Sequence, residues 1–302
     1  MGRTKRDVYA EITEKVLACL AEGTVPWQKP WATTTGMPRN LKSGKAYRGI
    51  NVFLLGYEPY TSPYWVTFKQ AKALKGTVKR GEKGAGVVFW KFLKKKNSEG
   101  EEYSFPLLRY YTVFNTEQCE GLQHKRLTEM EAAKGVEPEP FHAIMAAEEL
   151  VAGYASGYPV GPNVAERGAR AFYSPPLDHV TMPPRDTFES PEAFYNVLFH
   201  ELTHSTGHES RLKREGVTNP TWFGSHEYSK EELVAEMGAA FLSGHAGIST
   251  EGLINNSAAY LHTWASKLKD EPKLIVNAAA CAQKAVDHVL GTTFEDTTTD
   301  EE

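Results

Sequence analysis

No apolar run in this 302-residue chain approaches the roughly 20 residues that a membrane-spanning helix needs, and the opening Met1-Gly-Arg-Thr-Lys-Arg6 lacks the apolar core of a secretory signal. Both absences predict a cytoplasmic protein with no membrane partner. Cysteine is scarce: Cys19, Cys119 and Cys281 are far apart, odd in number and without C-x-x-C spacing. That pattern excludes a disulfide scaffold and points to buried free thiols in a reducing compartment. No internal repeat, helix-turn-helix or Cys/His finger is visible, so base-specific reading of a duplex is unsupported. What remains is an ordinary globular composition, 41% hydrophobic and 24% charged, of a length that suggests two domains.

The net charge of -4 conceals a division. Residues 1–126 carry 22 Lys+Arg against 11 Asp+Glu, whereas residues 127–302 carry 12 against 27. Halves of opposite sign suggest a part that binds a polyanion joined to a part with another task.

The second task is indicated by Phe199-His200-Glu201-Leu202-Thr203-His204, an H-E-x-x-H motif. Ser190 followed by Pro191 is a favourable helix start, Phe194, Val197, Leu198 and Leu202 form an apolar stripe, and Gly207 supplies a stop. On such a helix His200 and His204 are neighbours on one face, spaced to hold one divalent metal ion, with Glu201 beside it. Zinc suits imidazole, with manganese or cobalt as alternatives. A catalytic zinc keeps three protein ligands and a water whose pKa it lowers, and a neighbouring carboxylate can take that water's proton and pass it to a leaving amine. The chemistry is peptide hydrolysis, with Glu201 as the catalytic base.

A third ligand must come from elsewhere. Tyr228 to Leu242 reads as a second amphipathic helix in which Glu232 and Glu236 lie four apart. Glu232 is the expected ligand and Glu236 a carboxylate that orients a histidine. The competing reading makes Ser229-Lys-Glu-Glu232 a capping box, in which case Glu236 takes the metal. His208 and His226 are further candidates, but the long zinc motif wants a histidine where Ser210 stands.

Along the chain, helices are expected at 7–22, 51–55 and 67–74, and β-rich runs at 86–93 and 107–114 joined by the polar turn 94–100. Further on, a helix over 141–155, a hairpin of Ala171–Ser174 with Asp178–Met182, and a helical region over 257–290 are expected. The strand just before the metal helix would bind an extended peptide by edge pairing. The fold class is α+β: a small α+β domain over 1–126, a polar linker over 127–140, a mainly helical domain with a short β-sheet over 141–290, and an acidic disordered tail over 291–302.

The basic half also holds four of the six tryptophans, Trp27, Trp31, Trp65 and Trp90. Rings interleaved with cations suit single-stranded DNA, whose unpaired bases stack while lysine and arginine follow the phosphates. Candidate contacts are Lys45, Tyr47, Arg48, Asn51, Trp65, Lys72, Lys79, Lys83 and Lys91. Phe53, Phe89, Tyr111 and Phe114 are read as core positions.

Taken together, Phe199-His-Glu-Leu-Thr-His-Ser-Thr-Gly-His208, Glu231-Glu-Leu-Val-Ala-Glu-Met-Gly-Ala-Ala-Phe-Leu242, Val25-Pro-Trp-Gln-Lys-Pro-Trp31 and Tyr47-Arg-Gly-Ile-Asn51 resemble the ArdC-type antirestriction proteins of conjugative plasmids. Their N-terminal domain is shared with TraC-type plasmid primases. The resemblance implies a single-stranded-DNA-binding domain, a zincin-like metallopeptidase domain acting on an unidentified protein, and protection of incoming plasmid DNA from restriction in the recipient cell. It matches His200, His204 and Glu232 to the metal ligands and Glu201 to the catalytic glutamate. The alternative is a protein that only coats single strands and whose metal is structural.

Overall fold

The structure, a computed structural model, describes residues 7–28, 36–96, 102–132, 140–157, 160–219, 225–250 and 258–292, with backbone alone for 90–96, 102–107, 140–143 and 258. The expected tail lies almost entirely outside the described residues. The chain forms two units, one of Pro38–Lys134 and one that joins Tyr9–Met37 to Gly135–Thr293. This differs from the expected boundary. The first helix, α1 (Val8–Ala21), buries Ile12, Val16, Cys19 and Leu20 as its periodicity predicts. It packs in the unit of the H-E-x-x-H helix, where Thr13 donates to the Pro272 carbonyl at 2.7 Å. The Trp27 ring, 1% exposed, lies edge-on to Trp264 at 5.8 Å.

The Pro38–Lys134 unit contains β1 (Arg39–Asn40), α2 (Ile50–Gly56), β2 (Tyr64–Val66), α3 (Phe68–Ala73), β3 (Thr77–Val78), β4 (Ala85–Lys96), β5 (Glu102–Asn115), β6 (Cys119–Glu120) and α4 (Lys125–Ala132). A four-stranded sheet in the order β1-β2-β5-β4 carries its core, and β3 pairs with β6. Tyr47, Leu55, Trp65, Ala85, Val87 and Val113 pack together on one side. Leu41, Val66 and Ala71 form a second cluster that Leu127 joins. The expected linker therefore begins inside an element: α4 is held by Leu127 and by Arg126, which donates to the Leu41 carbonyl at 2.9 Å. α3 starts at a capping box between Thr67 and Gln70. β4 and β5 pair along the whole of β4, from Ala85↔Val113 to Lys96↔Glu102, while β2 pairs only with Phe114 and Asn115 of β5. Most of this hairpin is thus a two-stranded ribbon beyond the sheet, longer than the pattern predicted.

The second unit continues with α5 (Pro140–Ser156), β7 (Asn163–Glu166), β8 (Phe172–Ser174), β9 (His179–Met182), α6 (Pro191–Ser205), α7 (Glu215–Thr218), α8 (His226–Ala246), α9 (Ala258–Asp270) and α10 (Leu274–Val289). The β8–β9 hairpin is present as expected, but β7 pairs parallel to the other side of β9. The strand preceding the H-E-x-x-H helix is therefore central, and both its edges are already used; β7 and β8 are the outer strands among the described residues. No described helix is long and apolar enough to cross a membrane. Cys19 is buried and Cys119 and Cys281 are half-buried, and none of the three is in a disulfide among the described residues.

α8 is the axis of this unit. Leu233, Val234, Ala235, Met237, Gly238, Ala239, Ala240, Phe241 and Leu242 are all buried, so it is apolar around its circumference and packs against both α6 and α10. Its small residues set the spacing. A Cβ at Gly238 would lie 2.4 Å from Thr203 Cγ2 and 2.5 Å from Thr203 Oγ1, and that hydroxyl is already committed to the Phe199 carbonyl at 2.7 Å. Only glycine permits this approach of α6 to α8. Gly238→Ala is expected to destabilise the unit by about 1–3 kcal/mol, as overpacking does, and to weaken metal binding because it moves α8 away from His200 and His204. Thermal unfolding with and without added metal checks both.

Candidate metal centre and basic surface

α6 begins where the sequence predicts. Ser190 caps it by accepting from the Ala193 N–H at 3.2 Å, and Pro191 occupies its first turn. The helix brings His200 and His204 one turn apart, with their Nε2 atoms at 3.1 Å. α8 begins at the Ser225 cap, whose hydroxyl accepts from the Tyr228 N–H at 3.1 Å. That start settles the alternative for Glu232. Ser229 is inside the helix, its hydroxyl donating to the Ser225 carbonyl at 2.8 Å, so it forms no capping box with Glu232.

Glu232 turns to the histidines instead. Its Oε2 lies 3.6 Å from His200 Nε2 and its Oε1 3.5 Å from His204 Nε2. Ligand bonds of about 2.0–2.1 Å in a tetrahedron put donors roughly 3.3–3.4 Å apart. The two imidazole nitrogens are 3.1 Å apart, and each Glu232 oxygen faces one of them, Oε1 towards His204 and Oε2 towards His200, so one donor from each residue lies within 4.8 Å of the others. This is also the one trio of described residues whose donor atoms gather as a metal site would require. Two neutral imidazoles and one carboxylate fit a divalent metal. Tyr228 donates to Glu232, and its hydroxyl is pushed up to about 12, chiefly by burial and then by the carboxylate's charge.

The residue that orients a histidine is not the expected one. His204 Nδ1 lies 3.2 Å from Glu231 Oε1. Donation from Nδ1 fixes the tautomer that leaves Nε2 free for a metal. Glu231 is in turn gripped by Arg214, through Nε at 3.0 Å and Nη2 at 2.7 Å. Burial would raise the Glu231 carboxyl, but hydrogen bonds from His204 and Arg214 outweigh it and hold the group below the ordinary range. Arg214 also donates to the Thr203 carbonyl at 2.7 Å and to Thr206 Oγ1 at 2.6 Å, fastening the loop after α6. Gly207 leaves room for it: a Cβ there would come within 2.5 Å of Val217 and 3.1 Å of the Arg214 guanidinium.

Glu236, expected to orient a histidine, is otherwise engaged. Its Oε2 accepts from the Trp27 indole N–H at 2.8 Å and from the Tyr260 hydroxyl, and burial pushes the carboxyl up. His208 pairs with Ser210 at 2.8 Å and His226 with Glu271 at 3.0 Å, so neither joins the trio. Sequence reasoning missed Glu231 and Arg214. The adjacent glutamates were visible and Glu232 was placed at the histidines, but the role of Glu231 depends on Arg214, which reaches the site through a loop.

The expected DNA contacts divide. Lys45, Lys72, Lys79 and Lys83 are exposed and Arg48 is half-buried. Tyr47, Asn51 and Trp65 are buried, at 6%, 4% and 2% exposure, and have structural work. Asn51 donates to the Val88 carbonyl at 2.6 Å and accepts from the Val88 N–H at 2.7 Å, closing the outer edge of β4. Trp65 stacks edge-on against Tyr60 at 5.7 Å. These three offer no free ring or amide to a base, which corrects that part of the expectation. Trp27 is core of the other unit, and Trp31 and the side chains of Trp90 and Lys91 lie outside the described residues. Of the rings read as core, Phe53 is buried and Phe114 half-buried, but Phe89 and Tyr111 are 45% and 39% exposed.

Comparison with known proteins agrees with this arrangement. Residues 6–114 match the N-terminal domain of the anti-restriction factor ArdC, and residues 145–281 match a zincin-like metallopeptidase. Two DNA primases TraC of Escherichia coli are each 34% identical over 96% and 95% of this chain, which spans only 28% and 20% of their lengths. The uncharacterized protein y4eC of Sinorhizobium fredii is 31% identical over 94% of this chain and 92% of its own. The crystal structure of antirestriction ArdC from plasmid R388, metal-free, superposes with a TM-score of 0.72 at 35% identity, covering 96% of this chain and 100% of that one. Its Mn(II)-bound form gives 0.71 at 35% identity over 95% and 98%. A divalent metal is thus supported both by the donor set and by a relative solved with one.

Glu231→Gln keeps the volume but removes the charge that steadies His204. It is expected to lower metal affinity by about 10–100-fold, read by competition with a chelator of known affinity, while far-ultraviolet circular dichroism stays unchanged. His208→Ala in the same assay should bind metal like the native chain.

Proposed function

That this chain belongs to the ArdC family of antirestriction proteins, one solved member being 35% identical and covered over its whole length, is the premise from which we propose that it binds single-stranded DNA and hydrolyses a protein substrate at a metal centre, so protecting incoming plasmid DNA from restriction. The observation that carries the hydrolytic part is the gathering of His200, His204 and Glu232, one donor atom from each lying within 4.8 Å of the others, next to Glu201 in the sequence. These three residues would hold the ion, zinc by the chemistry of the donors, with manganese or cobalt as substitutes. A bound divalent metal supplies an acidified water and polarisation of a peptide carbonyl.

The chain's own groups do the rest. Glu201 follows His200 on α6 and is 8% exposed, a carboxylate shielded from bulk solvent beside the donor trio. Its role is to take a proton from the attacking water and deliver it to the departing amine. The Glu231–Arg214 pair holds His204 in register, and Tyr228 steadies Glu232 by hydrogen bonding. An extended polypeptide has the outer strands β7 and β8 to pair with, not β9.

A metal-dependent nuclease is the weaker reading. Two-metal cleavage wants several free carboxylates around the ions, and here Glu231 is tied to Arg214 while Glu236 accepts from Trp27 and Tyr260. The basic excess supports the DNA part: residues 38–134 hold 18 Lys+Arg against 9 Asp+Glu, whereas residues 1–37 hold 5 against 4.

Protection of an unmodified plasmid during transfer separates proteolysis from coating. Glu201→Gln is expected to retain metal and single-strand binding yet lose protection. Full protection by a metal-loaded Glu201→Gln protein would refute the peptidase reading and leave a DNA-coating protein with a structural metal.

A further inference from the structure

We propose that the exposed pair Phe89 and Tyr111, with Arg109 beside them, is a stacking site for unpaired bases of a nucleic-acid strand. The proposal rests on the reading of the Pro38–Lys134 unit as a single-strand binder and assigns residues to it.

The register explains why these rings meet. Phe89 on β4 pairs with Arg109 on β5, and Val87 pairs with Tyr111, so Phe89 and Tyr111 are diagonal neighbours on one face of the ribbon. Their centroids are 5.7 Å apart at 70°, an edge-to-face contact. The same face carries Ala85, Val87 and Val113, which are buried under Tyr47, Leu55 and Trp65. Phe89 reaches the border of that cluster, 6.3 Å from the Tyr47 ring. The core therefore ends at Tyr47, and the two rings after it continue its face into solvent.

A cross-strand aromatic pair stabilises a hairpin by itself, and that role does not need the rings at an open face. What distinguishes this pair is the company it keeps. Arg109 is exposed and lies directly opposite Phe89, and Lys45 and Arg48 flank Tyr47 in the chain. An apolar face rimmed by cations suits a partner that is flat, apolar on its faces and linked by anions. An unpaired nucleobase on a phosphodiester strand has that chemistry; a paired base hides its faces in the duplex stack.

The test uses the full chain and a labelled oligothymidylate, measured by fluorescence anisotropy at several salt concentrations, with a duplex and an abasic strand of equal length as comparisons. Because both rings are exposed, Phe89→Ala and Tyr111→Ala should fold, which thermal unfolding verifies. Each is expected to weaken oligothymidylate binding roughly 5- to 150-fold, the factor equivalent to about 1–3 kcal/mol of stacking per base, while Phe89→Trp retains it. Neither alanine variant should change binding of the abasic strand. Arg109→Ala should weaken all strands alike and make the salt dependence shallower. If the native chain binds oligothymidylate and both alanine variants bind it equally well, the stacking site is wrong and the single-strand reading stands. If the native chain binds no single strand at low salt, both fall. Equal loss of duplex binding, or loss of self-association in sedimentation, would assign the face to a groove-binding ribbon or to a second copy of this chain, and either overturns the proposal.

Discussion

The close crossing of α6 and α8 is the constraint on which the metal centre depends. Each helix alone supplies an incomplete set: two imidazoles from α6 and one carboxylate from α8. One donor from each residue comes within 4.8 Å of the others because Gly238 lets the α8 backbone approach Thr203, six residues beyond Glu232. Displacing the axes by the width of a methyl group would exceed the tolerance of a metal–ligand bond, about 0.2 Å.

A second constraint is electrostatic. Gathering Glu201, Glu231, Glu232 and Glu236 around two histidines puts four carboxylates in one half-buried region, where an unpaired charge costs several kcal/mol. The fold treats each differently. Glu231 is neutralised by the Arg214 fork, Glu236 is buried against two donors and biased towards its neutral form, and Glu232 faces the histidines. Glu201 alone carries no structural partner that would compete with a proton-transfer role among the contacts described at the site. Arg214 also binds the Thr203 and Thr206 oxygens, so the charge that stabilises Glu231 closes the end of α6 as well.

Much of this was legible in the sequence, because it is local. Helix periodicity, the Ser190-Pro191 start and the H-E-x-x-H spacing depend on neighbours within a few residues, and they placed α6, α8 and the β4–β5 hairpin correctly. What escaped depends on contacts across long stretches of chain. The role of Glu231 depends on Arg214, which reaches it from the loop after α6, 17 residues away in the chain. α1 was grouped with the basic residues that follow it, yet its apolar face belongs to a core more than 200 residues away. Burial of Trp65 and exposure of Phe89 reverse the expectation that the tryptophan among cations meets bases and the phenylalanine is core: Trp65 lies in the sheet's core, while the ribbon outruns the core that would cover Phe89.

Moving α1 and Trp27 into the unit of the H-E-x-x-H helix also changes what the charge asymmetry means. Residues 1–37 are nearly balanced, so the positive excess lies almost wholly in residues 38–134, on one folded unit with an aromatic face of its own. The segment between α1 and that unit is anchored at Trp27, whose indole N–H is bonded to Glu236, four residues along α8 from Glu232. One helical turn therefore separates the anchor of the chain leading to the basic unit from the carboxylate that faces His200 and His204. A buried carboxyl that accepts from both an indole and a phenol is fixed at its point on α8, and loss of either donor would remove one of the hydrogen bonds that hold it there. The position of Glu232 is thus supported from two sides, by the glycine seam against α6 and by the N-terminal segment packed against α8, and the chain reaches its DNA-binding candidate surface only after contributing to the site that would do the chemistry.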